Sequence, residues 1–165
     1  HHNALEAISS GATDGLKLAA NVAAMLIAFL SFIALFNFIL NTVGISLQQM
    51  LGVIFQPLAW SMGVPWGESF LVGKLMGQKI ILTELVAYND LSTMLDKNLL
   101  SEKSAIIASY ALCGFANFGS IGIQIGGIGS IAPKRKNDIT KIAVKAMIGG
   151  AIASWMTATI AGILI

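Results

Sequence analysis

The feature that most constrains this chain is a stretch of fifty residues without a charged side chain, between Lys17 and Glu68. An α-helix needs only about 20 residues to cross the hydrocarbon core of a bilayer, so the stretch is longer than one membrane span. Over the whole chain 56% of the residues are hydrophobic and 11% are charged, with a mean hydropathy of +0.79. This composition is not that of a soluble domain, and it predicts an all-α integral membrane protein.

Charge-free stretches and turn-forming residues predict where the helices lie. Pro57 and Pro65 divide the fifty-residue stretch, and Ser46 followed by Gln49 has the spacing of a capping box. We therefore predict an interfacial helix after the first of three spans. The predicted bounds are 18–42, 101–132 and 138–165 for the spans and 46–62 for the interfacial helix.

The basic residues predict the orientation of a multi-pass protein in the cell inner membrane. Five of the ten Lys and Arg residues lie between Lys134 and Lys145, and by the positive-inside rule this connection faces the cytoplasm. Residues 1–17 have apolar side chains at helical spacing and are predicted to form an amphipathic helix on the inner surface. The chain shows no signal sequence.

Residues 67–96 are too apolar for a loop, yet they contain six charged residues. Two helical stretches, 69–82 and 85–95, are each too short to cross a bilayer, which predicts a re-entrant helical hairpin with Glu84 near its tip. A carboxylate at that depth is costly and indicates a ligand for a substrate or ion. The alternative is a surface glutamate in a loop. Lys74 and Lys79 are interpreted as lysines with solvated ends, and the alternative is that they pair with other groups.

The second span has an irregular centre, where Asn117 and Ser120 lie among glycines with poor helix propensity. Discontinuous helices form binding sites in transporters, so this span is predicted to be interrupted. The alternative is an unbroken helix in which both polar side chains bond to neighbouring helices. Small residues at four-residue spacing from Ala146 to Gly162, and the pair Gly73 and Gly77, predict close helix packing.

Three segments together resemble the C-terminal half of the concentrative nucleoside transporters. They are SGATDGLK at 10–17, GQKIILTELVAY at 77–88 and SYALCGFAN at 109–117. The resemblance covers essentially the whole chain. It implies one half of an inverted-repeat transporter, a sodium- or proton-driven nucleoside symporter that forms homotrimers and moves a transport domain as a rigid body.

The resemblance also implies which residues bind the nucleoside. Glu84, Asn117 and Ser120 correspond to the ligands of the ribose, and Phe115 to the aromatic residue against the base. Thr83, Leu85 and Gly119 depart from the usual family pattern. A second hairpin that reads the base and helps to hold the coupling cation is expected upstream of residue 1.

Several functions are excluded or kept as alternatives. A net charge of +2 does not predict nucleic-acid binding, and the lone Cys113 excludes an internal disulfide. Catalytic motifs are absent from the sequence, so we predict no enzyme, no catalytic residue, no metal site and no cofactor apart from the coupling cation. The alternative to a transporter is a structural or interaction subunit whose polar residues only pack helices.

Overall fold

The computed structural model describes residues 4–42 and 44–165, with the side chains at 5–6, 21–22, 25–26, 29–30, 130–131 and 133 excepted. The described residues form seven α-helices and a 3₁₀ turn, and they contain no strand, so this part of the chain is all-helical as predicted. The helices are α1 (Ala4–Asn41), α2 (Leu47–Ser61), α3 (Trp66–Ile81), α4 (Glu84–Asp96), α5 (Glu102–Leu112), α6 (Phe118–Ile131) and α7 (Lys136–Leu164), with the 3₁₀ turn at Pro133–Arg135.

The first helix is longer than predicted. α1 runs without a break from Ala4 to Asn41, so the structure does not divide an amphipathic helix at 1–17 from a span at 18–42. Lys17 marks the point where charge ends, but leucine, lysine and alanine around it are all good helix formers. Gly15 is the weakest nearby residue and costs only about 1 kcal/mol within a helix. Residues 1–3 lie outside the described residues.

The second helix begins as the sequence predicts. The Gln49 amide donates to the Ser46 hydroxyl at 3.2 Å and the Ser46 amide donates to the Gln49 side chain at 2.9 Å, which confirms the capping box. Asn37 of α1 accepts a hydrogen bond from the Leu47 amide at 2.9 Å and so joins α1 to the first turn of α2. At 15 residues α2 is about 22 Å long, too short to cross a bilayer. Its place in the membrane interface stays a prediction.

Glycines bring α2 and α3 into close contact. A Cβ atom on Gly73 would lie 2.8 Å from the carbonyl oxygen of Gly52, and one on Gly77 would overlap the Leu51 side chain. The prediction that Gly73 and Gly77 serve helix packing is therefore confirmed. Behind this contact lies the hydrophobic core, which α3, α4 and α5 build around buried side chains such as Leu75.

Two hydrogen-bonded contacts fix the α3–α4 pair against α5. Near the start of α3, Glu68 accepts hydrogen bonds from the amide and the hydroxyl of Ser101, both at 2.9 Å. On α4 the Tyr88 hydroxyl donates to the Ser109 carbonyl at 2.7 Å. The hairpin is thus attached to α5 at two levels.

One helix within the described residues, α7, is both long and apolar enough to cross a bilayer. Shorter apolar stretches lie at Ser31–Asn41 in α1 and at Phe118–Gly129 in α6. The small-residue face of α7 packs closely in its C-terminal part, because Ala158 is fully buried and a Cβ atom on Gly162 would overlap the Met62 carbonyl oxygen. Ala146 and Gly150, at the other end of this face, are exposed. The count of three spans and the re-entry of the hairpin stay predictions.

Candidate substrate-binding site

The break between α5 and α6 is the centre of the candidate site. Five residues, 113–117, separate the end of α5 at Leu112 from the start of α6 at Phe118. Gly114 has a φ of +102°, a left-handed conformation that side-chain-bearing residues rarely adopt, and it turns the chain out of the helix. The predicted interruption is therefore present, and the alternative of an unbroken helix over 101–132 is wrong.

Asn117 and Ser120 begin the second half of the broken helix together. The Ser120 amide donates to Oδ1 of Asn117 at 2.7 Å, while the Asn117 amide donates to the Ser120 hydroxyl at 3.3 Å. This reciprocal pair satisfies two backbone donors that the first turn of a helix leaves without partners. Asn117 is 3% exposed and Ser120 is 6% exposed, so the polar groups are held inside the protein.

Glu84 meets this pair from the hairpin. Nδ2 of Asn117 donates to Oε2 of Glu84 at 3.1 Å, and the glutamate is only 8% exposed. The loop alternative for Glu84 is wrong, because the residue is the first of α4 and is buried. Three of the four predicted site residues, Glu84, Asn117 and Ser120, are thus joined in one hydrogen-bonded group.

Two helix starts converge on the Glu84 carboxylate. Glu84 lies in the first turn of α4, whose N-cap Thr83 accepts a hydrogen bond from the Val86 amide at 3.4 Å. Asn117, the N-cap of α6, presents the second helix start. The N-terminal end of a helix carries a partial positive charge, so an acidic side chain is favourably placed where two such ends meet.

Phe115 lies apart from the other three residues. Its side chain is 74% exposed in the break, where it borders a cavity of about 210 Å³ between the break, α6 and α7. The residues that line this cavity are Gly114, Phe115, Ala116, Ser120, Ile121, Gln124, Ala146, Met147 and Gly150. Ser120 is the residue that this cavity shares with the Glu84 group.

Two residues of the site were not predicted. Lys79, interpreted as a solvated lysine, is fully buried, and its ammonium donates to the carbonyl oxygens of Ala111 at 3.0 Å and Cys113 at 3.1 Å. Ser154 of α7, predicted only as a small packing residue, donates to the same Cys113 carbonyl at 2.6 Å. The break exposes the last carbonyls of α5, which need donors, and this need is the signal that could have identified both residues.

Comparison with known proteins gives a consistent answer. Residues 1–162 match the family described as Na+ dependent nucleoside transporter C-terminus. The chain is 45% identical to nucleoside permease NupC of Helicobacter pylori, covering 100% of this chain and 42% of NupC. It is 46% identical to solute carrier family 28 member 3 of Mus musculus, covering 98% of this chain and 26% of that protein.

Solved structures agree with these sequences. CNTnw in an inward-facing substrate-bound state has a TM-score of 0.80 and 43% identity, covering 98% of this chain and 40% of that chain. A variant of CNTnw in the intermediate 1 state has a TM-score of 0.89 and 42% identity, covering 100% of this chain and 42% of that chain. The present chain therefore spans less than half the length of these relatives.

The apolar, helical chain is similar to membrane transporters over nearly all of its own length. The chain belongs to the Na+ dependent nucleoside transporter family and matches its C-terminal part, which confirms the resemblance to the concentrative nucleoside transporters.

Proposed function

We propose that the protein containing these residues carries nucleosides into the cell by secondary active symport, driven by a sodium or proton gradient. The observation that carries this proposal is the hydrogen bond between Asn117 and Glu84, which joins the hairpin to the broken helix. A buried carboxylate that meets an amide where two helices begin is a costly arrangement for packing alone. It is the arrangement expected of a ligand site built on discontinuous helices.

The ribose is the part of a nucleoside that this group suits. Among the described residues, Oε1 of Glu84 accepts no hydrogen bond, and one Nδ2 hydrogen of Asn117 is not used by the bond to Glu84. One group can accept from a sugar hydroxyl and the other can donate to its neighbour, so together they match vicinal hydroxyls. Ser120 would add a further polar contact, and the exposed ring of Phe115 would lie against the planar base.

The membrane arrangement belongs to the same proposal. The protein would be a multi-pass protein of the cell inner membrane, with three spans, a re-entrant hairpin and a basic cytoplasmic connection before α7. Homotrimers would hold a static scaffold while the transport domain moves as a rigid body for alternating access. The coupling cation would bind mainly outside these residues. The family match and the likeness to CNTnw support this arrangement.

Substitution of Glu84 by Gln in the full-length transporter tests the proposed site. The change keeps the shape of the side chain but removes the charge, and losing a hydrogen bond to a charged group lowers affinity by about 10–100-fold. We expect uptake of uridine and adenosine into proteoliposomes to fall at least that far. Uracil, which lacks the sugar, should compete poorly with uridine in the unmodified transporter.

The matched control is Glu102→Gln, which makes the same chemical change at an exposed position in the first turn of α5. It should leave uptake unchanged. If Glu84→Gln inserts normally and transports nucleosides at the unmodified rate, the assigned role is refuted and the structural-subunit alternative gains support.

A further inference from the structure

Lys79 is the buried charge of the hairpin that the proposed ribose site does not use. It lies on α3, five residues before Glu84, and its side chain is fully buried. Its ammonium donates hydrogen bonds to the carbonyl oxygens of Ala111 and Cys113, the residues on either side of the last residue of α5. A lysine seldom becomes fully buried unless its charge is compensated.

The compensation comes from the end of a helix. In the described part of the chain no carboxylate lies within 4.0 Å of this ammonium, so Lys79 forms no ion pair there. The last carbonyls of a helix carry a partial negative charge and lack partners within the helix. Two charge-assisted hydrogen bonds to such carbonyls satisfy both the ammonium and the end of α5.

The hairpin therefore contacts both ends of the broken helix with opposite charges. Lys79 holds the carbonyl end of α5, which is partially negative, and Glu84 contacts the amide end of α6, which is partially positive. Ser154 of α7 donates to the same Cys113 carbonyl. The five residues of the break are thus fixed at both ends relative to one hairpin.

We propose that Lys79 is a positioning residue for nucleoside binding, which it promotes by holding the break so that Asn117 stays within hydrogen-bond distance of Glu84. This inference rests on the proposed function, because it concerns the same site. Without the ammonium, the Ala111 and Cys113 carbonyls would lose the donor that the hairpin gives them, and among the described residues only Tyr88 would still bond the hairpin to the last turns of α5. The alignment of Asn117 with Glu84 would then be lost before the helices themselves unfold.

The test is Lys79→Met in the full-length transporter, reconstituted in proteoliposomes, with KM and the maximal rate of uridine uptake measured separately. Losing hydrogen bonds from a charged donor predicts a rise in KM of about tenfold or more, with a smaller change in the maximal rate per inserted protein. Lys79→Arg, which can donate to the same two carbonyls, should restore KM to within about threefold of the unmodified value. A general loss of packing would not be repaired by arginine.

Lys74→Met is the matched control, because it removes a lysine from the same helix where the side chain is only half-buried. It should leave KM unchanged. If Lys79→Met inserts into the membrane and its KM equals that of the unmodified transporter, the inference is overturned. If Lys79→Met does not insert into the membrane, Ser154→Ala provides the test instead. This substitution removes the other donor to the Cys113 carbonyl and should raise KM about fivefold. An unchanged KM there also overturns the inference.

Glu84→Gln, measured in parallel, separates this inference from the proposed function. Lost uptake in Glu84→Gln together with an unmodified KM in Lys79→Met would reject the positioning role alone. Retained uptake in Glu84→Gln would reject the ribose site itself.

Discussion

At the scale of single residues, the candidate site contains two buried charged side chains, Glu84 and Lys79. A glutamate between two short apolar helices can be placed at depth by the cost of burying its charge, and the structure buries Glu84 as expected. The same reasoning applied to Lys79 failed, because a lysine stem is long enough to reach solvent from many positions. Its actual partners are backbone carbonyls more than thirty residues away along the chain, and no local pattern identifies them.

Asn117 is proposed to have two roles, as the N-cap of α6 and as a ligand of the nucleoside. Asn117→Ala removes the N-cap of α6, which costs about 1 kcal/mol of stability, and also the bond to Glu84. We expect KM for uridine to rise about tenfold in proteoliposomes. Asn89→Ala, at an exposed position on α4, should change neither stability nor KM.

Asn117→Asp separates the two roles of this residue. Aspartate caps helices as well as asparagine does, but it would place a second carboxylate beside Glu84. KM should therefore rise at least as much as in Asn117→Ala. A normal KM in Asn117→Asp would mean that only the cap matters and that the contact with Glu84 has no part in binding.

At the scale of elements, the breaks were easier to predict than the continuous helix. Poor helix propensity and glycine indicated the interruption near Gly114, and the shortness of two apolar stretches indicated the turn before Glu84. The predicted boundary between the amphipathic helix and the first span, after residue 17, rests on a change in charge. Such a change alters the surroundings of a helix without ending it. α1 accordingly continues to Asn41.

Gly73 provides a test of the contact between α2 and α3. In Gly73→Ala the new methyl group would lie 2.8 Å from the Gly52 carbonyl oxygen and 2.9 Å from the Gln56 amide nitrogen, and both are backbone atoms that cannot turn away. Overpacking of this kind costs about 1–3 kcal/mol. We expect a melting temperature several degrees lower for the purified transporter in detergent.

Gly67→Ala is the control for this substitution, since it lies on the same helix with nothing within 4 Å of the added atom. Its melting temperature should equal that of the unmodified protein or exceed it slightly. Equal melting temperatures in both variants would show that the helices separate readily and that their packing is not tight.

At the scale of the whole molecule, the family could be predicted from sequence because two of the three motifs, 77–88 and 109–117, lie at the breaks between helices, and the family match extends over residues 1–162. The position of each helix in the bilayer could not be read in the same way. Among the described residues, length and hydropathy together assign only α7 to a membrane span. For α1 and for the two halves of the broken helix, these properties alone do not define the depth in the bilayer.

The coupling cation is a property of the complete transporter, and the two proposed gradients are distinguished by collapsing each in turn. Sodium coupling predicts the following result. Collapse of the sodium gradient removes the driving free energy, so the accumulation ratio of uridine in proteoliposomes should fall to about one. A protonophore at constant sodium should leave accumulation in place. The reverse pattern would establish proton coupling.

The opposite charges of Lys79 and Glu84, each placed at one end of a broken helix, have an electrical consequence for the proposed cycle. A domain that moves through the membrane field with a balanced pair of charges performs no net electrical work on their account. Nucleosides are uncharged, so the current that accompanies uptake would count coupling ions alone. Removal of either partner would leave one elementary charge that moves out and back in each cycle, which would appear in transient currents but not in the charge carried per nucleoside.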